Sequence, residues 1–318
     1  MSRRKTMTIG LAVCAVILIA AVALGMGSVF GLGRYTYENA DKYTAGETEI
    51  TAAVRNLDVD WLSGSVTVAY HDGSTVELRE TSKKTIGGDM QLRWWVDGDT
   101  LRVRYAKDGV RTWHLFGGTQ EKALTLTLPQ GIALNDVKFH TTSGDVTVPA
   151  LSAGTVALEL TSGNVSAAVS AEEIRLNATS GDIGLTLTGP AKKADIGVTS
   201  GRITLTADET EAVNINGTSG RVTLDVKKAG TVNIRTTSGD ITAKLGAFTS
   251  LNVDATSGDL QLGLPEEPGF TAAVRQTSGS FSSAIALANT DGKHVCGDGS
   301  AAVNIHLTSG NIRIDPVR

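Results

Sequence analysis

The stretch TTSGDITAKLGAFTSLNVDATSGDLQL, residues 236–262, holds Thr-Ser-Gly-Asp twice, 19 residues apart, with aliphatic residues in the same phase around each copy. Ser-Gly followed by a polar residue and an alternating apolar pair recurs with its glycine at Gly144, Gly163, Gly181, Gly201, Gly220, Gly239, Gly258, Gly279 and Gly310, at spacings of 19, 18, 20, 19, 19, 19, 21 and 31. Two residues after each glycine stands Val146, Val165, Ile183, Ile203, Val222, Ile241, Leu260, Phe281 or Ile312. Five residues before it stands Phe139, Leu158, Leu176, Ile196, Ile215, Ile234, Val253, Val274 or Ile305. Both flanks alternate with period two, the pattern of strands with one buried face.

Each unit therefore reads as strand, Thr-Ser-Gly corner, strand and short return. A unit of about 19 residues cannot bury its apolar face alone, but units stacked ~4.8 Å apart bury a continuous column of Val, Ile and Leu. The expected fold is all-β, a β-solenoid of the single-stranded β-helix kind with ~19-residue coils, regular over residues 136–318. The nine glycines are then structural turn residues, because Gly takes positive φ or lets neighbouring backbone approach without a Cβ in the way.

The residue after the glycine is Asp145, Asn164, Asp182, Arg202, Arg221, Asp240, Asp259, Ser280 and Asn311. A catalytic or metal-binding ladder would repeat one ligand type; this mixture reads as a solvated outer edge. On successive coils Asp182 would neighbour Arg202 and Arg221 would neighbour Asp240, and chain order would set Asp259 beside Ser280. The Gly-Gly-x-Gly-x-Asp repeat of calcium-binding solenoids is absent. No cofactor or metal is expected.

No charged residue lies between Thr6 and Gly33, and the run from Met7 to Leu32 exceeds the ~20 apolar residues that span a bilayer. Residues 7–32 read as a transmembrane signal anchor. Arg3, Arg4 and Lys5 precede it, so residues 1–6 are expected in the cytoplasm and the rest outside, a single-pass protein of the cell membrane. A cleaved signal peptide ending at Ala21-Val22-Ala23 is the alternative; a lipoprotein at Cys14 fails because Val13 is not small. Without its three N-terminal basic residues the 29 Lys and Arg fall to 26 against 33 Asp and Glu, so the remainder carries −7. That argues against nucleic acid as a partner. Cys296 is alone outside the apolar segment, so the fold needs no disulfide.

Residues 33–135 differ. All four Trp and all five Tyr lie between Tyr35 and Trp113, and Asp72-Gly73, Asp97-Gly98 and Asp108-Gly109 are hairpin-turn signals. Gly64 lies 80 residues before Gly144, room for about four irregular coils that would cap one end of the stack. Trp95, Arg102, Arg104 and Trp113 are the candidate binding patch for glycans or cell-wall polymer. Adjacent Trp94 and Trp95 point to opposite faces of a strand, so one of them belongs in the core. Residues 287–302 read as an insertion before the last coil, with His294 and Cys296 too few to make a metal site. No Gly-x-Ser-x-Gly elbow, P-loop or His-Glu-x-x-His is present.

The membrane anchor, LDVDWLSGSVTV (57–68), DGDTLRV (97–103), LTLTLPQ (124–130) and the TSGDITA-type run ending in LTSGNIRI (307–314) together resemble the bacterial β-strand-repeat family of unknown function whose members are classed as candidate adhesins and include LiaG-like envelope proteins. The resemblance implies a pectin-lyase-like or related β-solenoid and a role in adhesion or envelope-stress signalling. It brings no catalytic residues. The leading expectation is a non-enzymatic surface protein with a cell-envelope or surface partner, protein or polysaccharide. A signalling accessory protein and a polysaccharide-active enzyme on a β-helix scaffold are the alternatives.

Overall fold

The computed structural model describes residues 34–111 and 120–317; the expected anchor at 7–32 and Trp113 lie outside them. Among the described residues, twenty-one strands form one hydrogen-bonded sheet. Among the described residues there are two short 3₁₀ turns, no α-helix, and no helix long and apolar enough to cross a membrane.

Each unit supplies one strand before its corner and one after, and each pairs in parallel with the same strand of the next coil. Before the corner, Phe139 aligns with Leu158, Leu158 with Leu176 and Leu176 with Ile196. After it, Val146 aligns with Val165, Val165 with Ile183 and Ile183 with Ile203. The register advances by one repeat at every step, so the fold is a solenoid-like stack. Along Val165–Ser180 buried and solvent-facing residues alternate, and the inward residues of all coils merge into one core from Tyr35 to Ile314. Each fully buried aliphatic side chain contributes about 1.5–3 kcal/mol, and among the described residues the core is closed without a disulfide.

The ends depart from chain order. The coil of Gly64 lies directly against that of Gly144, with Val59 aligned to Phe139 and Val66 to Val146. The expectation of about four irregular coils between them is therefore corrected. Thr100–Arg104 and Ala123–Pro129 form a single further coil on the outer side of Asn56–Ser63 and Val66–His71. Antiparallel strands then cover its edges: Arg93–Asp97 beside Thr100–Arg104, and Val76–Thr81 beside Ala123–Pro129. An exposed parallel edge would template aggregation, and these antiparallel strands block it.

At the other end the last coil of the sequence is inserted. Ala301–Ser309 pairs on one side with 250–257 and on the other with Gly269–Ser278. The asymmetry follows from side chains. The inserted coil buries Val303, Ile305, Leu307, Ile312 and Ile314 to 2% exposure or less, whereas the outer coil offers half-buried Val274, Gln276, Phe281 and Ser283. The more apolar coil is the one covered on both faces. The long spacing before Gly310 is a hairpin, Ala288–Thr290 with Lys293–Gly297, laid antiparallel along residues 269–272 as a cover for the start of that edge.

Candidate functional site

The corner column is structural. The nine glycines have φ between 117° and 153°, a region closed to other residues. A Cβ on Gly239 would fall on the carbonyl oxygen of Gly220, well inside van der Waals contact, and the same overlap repeats along the stack. The polar residue after each glycine serves the next coil. The side-chain oxygen of Asp145 accepts the backbone N–H of Asn164 at 2.9 Å, Asn164 accepts that of Asp182 at 3.0 Å, and Asp240 that of Asp259 at 3.2 Å. Arg202 and Arg221 have no acceptor to offer and pair instead with Asp182 at 3.4 Å and Asp240 at 3.6 Å. Because the last coil is inserted, Asp259 meets Asn311, accepting its N–H at 2.8 Å, and Ser280 lies one coil beyond. The neighbour expected for Asp259 from chain order is thus corrected.

The structure brings Trp95, Arg102 and Arg104 together on the outer face of the pre-corner strands. Arg102 reaches Asp58 at 2.7 Å and Asp97 at 3.2 Å, and Arg104, 11% exposed, holds Asp58 at 2.9 Å. Burial alone would raise the Asp58 carboxyl, but the hydrogen bond and charge of Arg104, helped by Arg102, hold it below the usual carboxylate range. Trp95 is half-buried, with the Tyr43 ring tilted against it at 5.6 Å, Lys42 at 4.7 Å and Arg102 at 5.8 Å from its centroid. Trp94 packs on the core from the other face of the same strand. One coil further in, His140 pairs with Asp60 at 3.2 Å. This bond, against the opposing effect of burial, raises the His140 pKa above the ordinary histidine value.

Beneath that face lies Lys122, which occupies the corner position of the end coil: its N–H donates to Ser63 and its carbonyl accepts Trp61 Nε1 at 2.9 Å. Its fully buried ammonium pairs with Glu80 at 2.8 Å, donates to the Met90 and Tyr105 carbonyls, and sits 4.2 Å from the Tyr105 ring. Desolvation lowers its pKa, with Glu80 opposing.

One feature escaped the sequence reading. Asn214, Asn233, Asn252 and Asn304 stand six residues before their corners and form an amide ladder: each donates from Nδ2 to the coil before it, at 2.8, 2.8, 2.9 and 3.0 Å, beginning on Asp195. The 19-residue spacing of the first three was the available signal. His294 stacks on Phe281 at 4.5 Å while Cys296 is buried with its thiol toward the Glu266 carbonyl, so the two do not share a site. Among the described residues no group of three or more His, Cys, Asp or Glu is arranged to hold a metal.

Residues 48–315 match the model of a family described as Toastrack DUF4097. The comparison with curated proteins returned no match. Solved structures similar to the chain include a candidate adhesin from Parabacteroides distasonis ATCC 8503, at 13% identity over 86% of this chain and 97% of that one, with a TM-score of 0.43. A candidate adhesin from Bacteroides fragilis NCTC 9343 follows at 12% identity, 87% and 97% coverage and a TM-score of 0.41. A candidate cell adhesion protein from Clostridium sporogenes ATCC 15579 has 10% identity, 87% and 100% coverage and a TM-score of 0.25. With its family model spanning most of its length, from Thr48 to Asp315, the chain belongs to the Toastrack DUF4097 family, whose function is unknown.

Proposed function

We propose that this protein is a non-enzymatic, adhesin-like binding protein held to the cell membrane by residues 7–32, with its N-terminus cytoplasmic and its β domain extracytoplasmic. Its stack winds as a single-stranded, pectin-lyase-like β-helix and offers the outer face of the pre-corner strands to a cell-envelope ligand. The observation that carries this reading is the continuity of that face. From Thr100–Arg104 to Gly269–Ser278 it runs unbroken through parallel strands, and its outward positions are predominantly polar side chains stacked in rows. Such rows repeat every ~4.8 Å, a spacing suited to an extended polymer or strand lying along the stack, and Trp95 with Arg102 and Arg104 marks one end. The test is retention of the full chain on isolated envelope material. Retention that falls for Trp95→Ala or for charge changes along the face, with no soluble sugar released, is the expected result. Release of sugar, or no retention at all, overturns the proposal.

A further inference from the structure

The insertion of the last coil assembles a second feature on this face. Arg235 aligns with Asp254, Asp254 with His306 and His306 with Arg275, so four coils that are not consecutive in the chain set one row across the stack. All four line a shallow groove of about 480 Å³ whose other side is the Asn252 and Asn304 end of the amide ladder. The charges here are unlike those of the coils between residues 146 and 232. Between residues 146 and 232 every Lys and Arg has an acidic partner: Arg175, Lys192 and Lys193, Arg202 and Arg221, Lys227 and Lys228. Neither Arg235 nor Arg275 has an acidic or hydrogen-bonding partner among the described residues. They stand three coil steps apart, about 14 Å, with the Asp254–His306 pair between them at 3.2 Å and both of its side chains more than half exposed.

We infer that this groove binds a linear anionic glycan, which deepens the surface-binding reading above and rests on it. Two free guanidiniums in a molecule of net negative charge select carboxylate or phosphate groups, and their fork of donors binds such oxyanions in a bidentate way. Between them, Asp254, the His306 ring, the outer lone pairs of Asn252 and Asn304 and the second Nδ2 hydrogen of Asn304 offer the mixed donors and acceptors that sugar hydroxyls need. A polymer lying across the coils meets both arginines at once, which a small anion does not.

The experiment measures binding of the full chain to polygalacturonate, to a phosphodiester-linked phosphomannan and to neutral dextran, at low and high salt. Binding to at least one anionic polymer, weakened by salt, and none to dextran is expected. Arg235→Gln with Arg275→Gln should lower the affinity about tenfold or more with an unchanged melting temperature. Lys227→Gln with Lys244→Gln removes the same charge from other surfaces and should leave the affinity as it was. Preference for one polymer distinguishes carboxylate from phosphate. Equal binding by the arginine variant, equal loss in the lysine control, or no binding to either anionic polymer overturns the inference. If the chain is retained on envelope material and yet ignores both polymers, the glycan site alone fails; if it is retained on nothing, the surface-binding reading fails with it.

Discussion

At the scale of single residues, the column of corner glycines and the polar residues beside them make opposite predictions. Gly239→Ala meets both a φ of 130° and the Gly220 carbonyl, and relief would require opening the ladder between two coils. Destabilisation of about 4 kcal/mol or more is expected, at the far end of single substitutions, read by denaturant unfolding. Asp240→Asn keeps the oxygen that accepts the Asp259 N–H and should stay within about 0.5 kcal/mol of the parent. A gain is available inside. Thr141 and Thr236 are buried with hydroxyls that find no partner among the described residues. Thr236→Val keeps the shape and removes the orphan group, so the same measurement should rise by about 1 kcal/mol. The corner was legible in the sequence because a glycine invariant in nine phased copies points to a backbone demand. The use of Asp145 or Asp240 was not legible, because its partner is a main-chain N–H on the next coil that no side-chain pattern records.

Elements at the N-terminal end are held by charges rather than by repetition. Lys122 fills a glycine position with a side chain turned inward, and its ammonium is balanced by Glu80, whose second oxygen accepts the Leu92 N–H at 2.8 Å. Removing one member of a buried pair strands the other, so Lys122→Met should cost about 3–5 kcal/mol. Glu80→Gln added to it retains an acceptor for Leu92 and should recover part of that loss, as a double-mutant cycle in denaturant would measure. The His140–Asp60 pair joins two strands of the same end. Because the folded pKa of His140 lies above its unfolded value, its contribution is complete below about pH 6.5 and is lost as pH rises through the folded value. The melting temperature should therefore fall as pH rises above about 6.5, and His140→Gln should flatten that slope. Little of this end could be read beforehand. Alternation marks strands in both cases, but nothing in Leu57–Val68 says that its coil docks on that of Gly144, 80 residues away, with the intervening chain folded to the outside. Trp95, Arg102 and Arg104 were legible as neighbours; their engagement with Asp58, Asp97 and Tyr43 was not.

For the whole molecule the decisive fact is that spatial order and chain order differ at both ends, and the C-terminal case gives a direct test. If coils stacked in sequence, Ile305 would lie on the terminal edge and Val274 between two coils. The structure has the reverse: Ile305 is 2% exposed with a coil on each side, and Val274 is only partly buried against one. Ile305→Ala should then open a cavity and cost about 2–5 kcal/mol, while Val274→Ala should cost near 1 kcal/mol. Backbone amides follow the same logic, since bonds covered on both sides open only in larger unfolding events. Hydrogen exchange should therefore be slower for Val303 and Ile305 than for Val274 and Gln276, which lie beyond the hairpin and have a coil on one side only, although the latter pair precedes them in the chain. Because Gly269–Ser278 has its parallel neighbour only in the inserted coil, Ile305→Ala should also raise exchange in the outer coil and leave residues 165–200 unaffected. Faster exchange at 301–309 than at 273–278, or a Val274→Ala loss exceeding that of Ile305→Ala, would restore the sequential stack and dissolve the row from Arg235 to Arg275.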